Sequence, residues 1–353
     1  MEKKVLISGN EAIAEAAIQA GCYFYAGYPI TPQNELIGYM AEHLPQAGGI
    51  FIQAESELAA INMVFGASAA GARAMTSSSS PGISLKQEGI SYIAGSELPA
   101  VIVNVMRGGP GLGNIAPSQS DYFQATKSGG HGDYHLIVLA PYCVQEAFDL
   151  TTEAFALADK YRTPVMLLLD AFLGQMAEPI RISAQKAKTA RAKDNNWTLT
   201  GAKGRPPRII RSFFLREGIL EAHNLKLQKK YAQIADKEHR WQSIKAKETE
   251  VVFVAYGTAF RIAKEAALIL KKHKIKAGLF RPISLWPFPY AELKRIASGK
   301  KAVFVFELSA GQMLEDVRLA LGDSCLLHFY GRLGGGVFSI DELVRFVRQK
   351  LKR

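Results

Sequence analysis

Three side chains stand where their types and setting could do chemistry. Glu57 opens an apolar helix-like stretch, ELAAINMVFGA, with Glu55 two positions before it. A carboxylate buried at the mouth of such a helix is costly unless it is paired or functional. Either glutamate can equally be a helix N-terminal acid in solvent, favoured by the dipole. Thr31 lies in Tyr28-Pro29-Ile30-Thr31-Pro32. Each proline fixes its own φ and biases the residue before it toward extended backbone. The result is a stiff turn with one hydroxyl at its tip, suited to a small ligand and equally suited to cap a helix after Pro32. Arg107 follows the largely apolar run Ala100–Met106. A guanidinium there can pair with a structural carboxylate or grip a substrate carboxylate through two bonds. The chain has no Ser/His/Asp arrangement, no HExxH and no P-loop, and His131 in GGHGD is a lone loop histidine.

The elements that must position these residues read as strands alternating with helices. Strands are predicted over 4–7, Cys22–Tyr25, Ile50–Gln53, Ala74–Thr76, Ala100–Val105, Ile137–Ala140 and Val165–Asp170. Helices are predicted over 10–21, Gln33–His43, Glu55–Gly71, from Pro81 onward, and over Cys143–Tyr161. The strands are apolar throughout rather than alternating, which argues a parallel sheet covered on both faces. Open α/β sheets place ligands beyond the carboxyl ends of their strands. Thr31, Glu57, Ser77–Ser80 and Arg107 all fall at such ends, so they are expected along one edge. From Glu250 the pattern restarts as a second, smaller α/β unit. Its Gly257-Thr258-Ala259 turn could hold an anion at a helix N-terminus, although close packing is the stronger reading. The expected divisions are 1–183, a basic segment 184–247 and 248–353.

The chain has 353 residues and a net charge of +11. Residues 184–247 hold 16 of the 43 basic and 5 of the 32 acidic residues, so the remainder is neutral. That concentration argues against a general nucleic-acid surface, which spreads charge over a folded face. The segment reads as a solvated arm with an amphipathic helix over Arg216–Lys245. Phe213, Phe214, Leu215 and Trp241 also need cover, which suggests an assembly contact. Three distant cysteines without CxxC make iron–sulfur or zinc ligation by this chain alone unlikely and suit a reducing cytoplasm. No apolar run approaches the roughly 18 residues of a membrane span, and the N-terminal apolar run is too short for a signal peptide.

YPITPQNE, AESELAAINMVFGASAAGARAMTSSSSPGISL, NVMRGGPGLGN and GGHGD together resemble the α subunit of 2-oxoacid:ferredoxin oxidoreductases. AYGTAFRIAKEA, RPISLWPFP, FELSAGQMLEDVRLA and FYGRLGGG extend the resemblance over nearly all of residues 5–345, closest to the branched-chain (2-oxoisovalerate) type. The resemblance implies a thiamine diphosphate pyrimidine-binding parallel-sheet domain followed by a smaller transketolase C-terminal-like α/β domain. It implies that Glu57 hydrogen-bonds N1′ of the aminopyrimidine as the catalytic carboxylate. It places Tyr28, Pro29 and Ile30 at the cofactor, and Thr31 and Arg107 at the 2-oxoacid carboxylate. The implied reaction is oxidative decarboxylation to acyl-CoA, with electrons passed through iron–sulfur clusters to ferredoxin.

The family's diphosphate–magnesium signature and its cluster cysteines do not occur in this chain. The resemblance therefore assigns Mg²⁺ and [4Fe-4S] clusters to partners: a β subunit, a γ subunit and a ferredoxin-like subunit. No metal site is expected here, and neither membrane nor nucleic acid is an expected partner. The 2-oxoglutarate branch reads RGGPSTG where this chain has RGGPGLG (Arg107–Gly113), which favours a branched-chain substrate. The same chemistry on 2-oxoglutarate or pyruvate is the near alternative. Two other classes are a nucleic-acid-binding protein acting through 184–247 and a Rossmann-type dehydrogenase, which lacks its dinucleotide fingerprint here.

Overall fold

The structure, a computed structural model, describes residues 4–182 and 195–352, so 184–194 of the basic segment lie outside the described residues. The first strands are β1 (Lys4–Ser8), β2 (Phe24–Gly27), β3 (Ile50–Gln53), β4 (Ala74–Ser78), β5 (Ala100–Met106), β6 (Ile137–Leu139), β7 (Pro164–Asp170) and β8 (Ala177–Arg181). Then come β9 (Trp241–Ile244), β10 (Val251–Val254), β11 (Ala277–Pro282), β12 (Ser284–Trp286), β13 (Ala302–Glu307) and β14 (Leu326–Gly331). The larger sheet runs β12-β6-β7-β5-β4-β2-β3 and is parallel except for β12. The smaller runs β14-β13-β10-β11-β9 and is parallel except for β9. Every residue of β5, β7 and β13 is buried, as unbroken apolar runs require in a sheet with both faces covered.

Several strands depart from the expected pattern; β12, from within the expected 248–353 unit, joins the larger sheet antiparallel to β6. β1 pairs antiparallel with β8 as a separate ribbon instead of joining the parallel sheet. Its Lys4 and Leu6 are exposed, an alternation that suits a half-solvated ribbon. The helix expected over Arg216–Lys245 runs only from Ile219 to Lys237. Trp241–Ile244 instead form β9, an antiparallel edge of the smaller sheet. Trp241 stacks on Phe280 with ring centroids 5.8 Å apart, so this chain supplies cover for it. Phe214 packs on His223, whereas Phe213 and Leu215 remain 72% and 86% exposed.

Helix Ile219–Lys237 is held to the first domain by charge. Glu97, nearly buried, receives hydrogen bonds from Lys226 (2.5 Å) and Lys230 (3.4 Å). Burial pushes its carboxyl up, but the Lys226 bond and the charges of Lys230, Lys226 and Arg162 outweigh this and leave it below the ordinary glutamate value. A depressed folded-state value stabilises at pH above the unfolded value and is lost as pH falls through the folded one. Stability should therefore drop below about pH 4.3, the ordinary glutamate value. Glu97→Gln should remove that acid dependence and cost about 1.5–3 kcal/mol at neutral pH. Thermal melts of both proteins from pH 3 to 7 check this, and parallel pH profiles would contradict it.

The two domains meet through polar clasps. The Gly257–Lys272 helix does receive an anion at its N-terminus, and the anion is the protein's own Asp170: Thr258 donates to its carboxylate from Oγ1 (2.8 Å) and N (3.3 Å). Gly257 adopts φ +54°, and a Cβ there would stand 2.9 Å from Gln119 Nε2. Gln119 itself bridges Tyr256 O (2.9 Å) and Leu308 N (2.9 Å). Arg281, fully buried on β11, makes a two-pronged bond to Glu146 (2.7 and 2.8 Å) across the interface and lies over the Tyr142 ring. Tyr122 donates to Asp316 (2.6 Å).

Candidate functional site

The order β5-β4-β2-β3 places the carboxyl ends of four parallel strands side by side. Arg107, the Ser77–Ser80 stretch, the Tyr28–Pro32 turn and Glu57 lie along that edge in this order, as their positions after strands predict.

The turn is fixed from behind. Tyr25 is fully buried and donates to Ser77 Oγ (2.5 Å), which donates to Gln33 Oε1 (2.6 Å). Asn10 Nδ2 donates to Pro32 O (2.8 Å). Burial pushes the Tyr25 phenol well above its ordinary value, so it stays a donor at any working pH. The helix after the turn starts at Asn34 with Gln33, not Thr31, at the cap position. Thr31 Oγ1 instead accepts from Asn34 Nδ2 (3.2 Å). Tyr28 and Pro29 are exposed, and Ile30 is half-buried.

Arg107 is joined directly to that turn. Its guanidinium donates to Thr31 O (2.9 Å) and Leu112 O (3.2 Å), and its buried Nε has no partner among the described residues. The Arg107 backbone N–H donates to Ser80 Oγ (3.0 Å), which donates to Asp121 (2.6 Å); Asn104 Nδ2 also donates to Asp121 (2.9 Å). Burial holds the Asp121 carboxyl above its ordinary range despite these donors. Beyond lies a cleft of about 670 Å³, walled by Gly109–Gly111, Asp121, Ser309, Gln312 and Leu333 from both domains. Leu333, in its wall, is 64% exposed, and Leu112, next in the chain to Gly111, is 81% exposed.

The structure also separates the two glutamates. Glu55 is exposed, while Glu57, first residue of the helix Glu57–Ala69, is 6% exposed. Its carboxylate accepts no hydrogen bond among the described residues. Gly82, in the helix Ser80–Gly95, permits the approach: a Cβ there would stand 2.6 Å from Glu57 Oε1 and 2.0 Å from Ser78 Oγ. The hydroxyls of Ser78 and Ser79 are buried without partners among the described residues. A dry carboxylate with free acceptor capacity fits a ring nitrogen that carries or takes a proton, which is what an aminopyrimidine offers.

Lys86, Gly82 and the Ser80–Asp121–Asn104 set are not evident from the sequence. Lys86 sits in SLKQEG and looks like an ordinary surface lysine, yet it is fully buried. The one available signal is its place between Gly82 and Gly89, four residues after one and three before the other, on a single helix face.

Residues 15–247 match the family described as pyruvate flavodoxin/ferredoxin oxidoreductase, thiamine diP-bdg, and residues 249–343 match pyruvate:ferredoxin oxidoreductase core domain II. The chain is 48% identical over 345 residues to ketoisovalerate oxidoreductase subunit VorB of Methanothermobacter marburgensis, covering 98% of this chain and 97% of that one. It is 42% identical over 319 residues to 2-oxoglutarate synthase subunit KorA of Archaeoglobus fulgidus, covering 88% and 90%. Among solved structures it is similar to a 2-oxoglutarate:ferredoxin oxidoreductase from Magnetococcus marinus with 2-oxoglutarate, coenzyme A and succinyl-CoA bound (TM-score 0.87, 28% identity). The match spans 99% of this chain and 66% of that one. A split-gene transketolase shares the fold at TM-score 0.60 and 15% identity.

Proposed function

Since the chain belongs to the 2-oxoacid:ferredoxin oxidoreductase family, we propose that it is the α subunit of the branched-chain enzyme, which oxidatively decarboxylates 2-oxoisovalerate to its acyl-CoA and passes electrons to ferredoxin. The observation that carries this reading is the buried Glu57 carboxylate, without a hydrogen bond among the described residues, on the same strand edge as the Arg107–Thr31 pair and inside the span matched to the thiamine diphosphate-binding family.

When bound, thiamine diphosphate supplies the carbanion chemistry needed to release CO₂ from a 2-oxoacid. Glu57 holds a proton at the aminopyrimidine nitrogen, where its dry surroundings strengthen the bond. Tyr28, Pro29 and Ile30 border the cofactor, with the Tyr25–Ser77–Gln33 chain keeping their turn rigid. Arg107 and Thr31 orient the 2-oxoacid carboxylate, and the exposed Leu112 beside Arg107 offers an apolar surface to a branched side chain. We assign the diphosphate and Mg²⁺ to a β subunit, the [4Fe-4S] clusters to a ferredoxin-like subunit, and a further contact to a γ subunit, all in the cytoplasm. No helix among the described residues is long and apolar enough to cross a membrane.

Arg107→Ala should raise the KM for the oxoacid about 10–100-fold, the value of one to two tenfold steps of about 1.4 kcal/mol each, with a smaller change in kcat. Steady-state kinetics on the assembled complex decide this, and an unchanged KM removes Arg107 from the substrate site. Function is tested by methyl viologen reduction with CoA and thiamine diphosphate, comparing 2-oxoisovalerate, 2-oxoglutarate and pyruvate. Strong preference for 2-oxoisovalerate is expected. Preference for 2-oxoglutarate would favour the second reading, which the 42% identity to a 2-oxoglutarate synthase subunit supports. Inactivity on all three would overturn the proposal.

A further inference from the structure

Arg107 takes its orientation in part from a loop that the smaller domain holds. Its guanidinium donates to Leu112 O (3.2 Å), so it points where the loop 108–114 puts that carbonyl. Asn114 N closes the loop on Gly108 O (3.0 Å), and Gly108 N fixes its base on Ala116 O (2.9 Å). The Asn114 side chain then reaches both ways. Its Oδ1 accepts from Ala116 N (3.0 Å), within the same turn. Its Nδ2 donates to Gly334 O (2.8 Å), 220 residues further along the chain and in the other domain.

The receiving side is itself anchored. Gly334 lies in the loop that follows β14, where Arg332 N binds Glu307 O (3.2 Å) and Gly336 N closes on Leu333 O (3.0 Å). The two loops meet without side chains between them. A Cβ on Gly108 would stand 3.1 Å from the Gly334 carbonyl carbon, and one on Gly335 would stand 2.5 Å from Ala116 Cβ. An asparagine that merely builds a turn needs only its oxygen for the backbone N–H two residues on. Here the amide hydrogens have a separate use, and it lies across the domain boundary.

We propose that Asn114 is a positioning residue for Arg107: through it the smaller domain sets the Leu112 carbonyl, and so the angle at which the guanidinium meets the oxoacid carboxylate. A two-pronged bond between guanidinium and carboxylate depends on that angle. An arginine left to find it on binding loses affinity to the ordering of its side chain. Asn114 acts through Arg107 and not on the substrate. The inference rests on the substrate role proposed for Arg107. The domains keep a second clasp nearby, in which Gln119 N donates to Leu308 O (2.8 Å) and Gln119 Oε1 accepts from Leu308 N (2.9 Å). Loss of the Asn114 bond should therefore loosen one loop and leave the domains docked.

The test is steady-state kinetics on the co-purified complex. Asn114→Ala should raise the KM for the oxoacid about 3–10-fold, the worth of one hydrogen bond. Both kcat and the KM for CoA should stay within about twofold, which a general loss of structure would not allow. Asn114→Asp keeps the acceptor for Ala116 N and loses the donor to Gly334 O. It should raise the KM as Asn114→Ala does, and a wild-type KM would make Asn114 a turn residue and overturn the proposal. In the Arg107→Ala background, Asn114→Ala should change the KM by less than about twofold, because a residue acting through another adds nothing once that other is gone. Fully additive effects overturn the proposal as well. If Arg107→Ala itself leaves the KM unchanged, the substrate role of Arg107 fails and the inference falls with it. A raised KM in Arg107→Ala beside an unchanged one in Asn114→Ala sinks only the role of Asn114.

Discussion

Glu57→Gln is expected to lower turnover of the assembled complex about 10²–10⁴-fold, the usual worth of a positioned acid–base group. The substitution keeps the volume and removes the charge. Glu57 lies in the first turn of its helix, whose cap bond runs from Ala59 N to Ser56 Oγ (3.1 Å) and does not involve the carboxylate. Gly82 leaves room for an amide as well as a carboxylate, so the fold and the subunit contacts should survive. An amide cannot hold a proton as a carboxylate does, which is why kcat should fall while the KM for the oxoacid stays within a few-fold. Stopped-flow reduction of methyl viologen separates the two, and a wild-type rate would remove Glu57 from proton handling.

Arg281→Ala is expected to be strongly destabilising, at up to about 3–5 kcal/mol, because it deletes the fully buried member of an ion pair whose other member, Glu146, is part-buried. Arg281 binds both oxygens of Glu146, donates to Gln242 Oε1 (3.1 and 3.2 Å) and lies over the Tyr142 and Phe260 rings. Its removal leaves Glu146 facing an empty interface. Glu146 also accepts from Tyr142 N (3.2 Å), so the change loosens the loop leading to the Val144–Tyr161 helix. The melting temperature should fall by on the order of 10 °C. The double variant Arg281→Met/Glu146→Leu should recover much of the loss, since two well-packed apolar groups can replace a buried pair. Equal melting of wild type and Arg281→Ala would show that the domains do not depend on this clasp.

Much of the site was legible in the chain because its residues sit at strand ends. Largely apolar runs such as Ala100–Met106 specify a doubly covered sheet, and that sheet aligns its carboxyl ends. Thr31, Glu57 and Arg107 were therefore expected on one edge and are found there. The choice between Glu55 and Glu57 was not legible, since both stand at a helix start and the dipole favours either. Nor was the role of the Gly257–Lys272 N-terminus, whose anion proved to be Asp170, 88 residues earlier in the chain.

The sequence by itself determined the alternation of strands and helices, the stiff Tyr28–Pro32 turn and the family resemblance, because these depend on local residue types and spacing. Only the tertiary structure decided what becomes of residues whose fate depends on distant neighbours. β1 left the main sheet to pair with β8, and Trp241 ended a helix reading by finding Phe280. Lys86 was buried because Gly82 and Gly89 let two helices close over it. An apolar run announces its own burial, whereas a charged side chain is buried only when segments far apart in sequence close over it, which its residue type argues against.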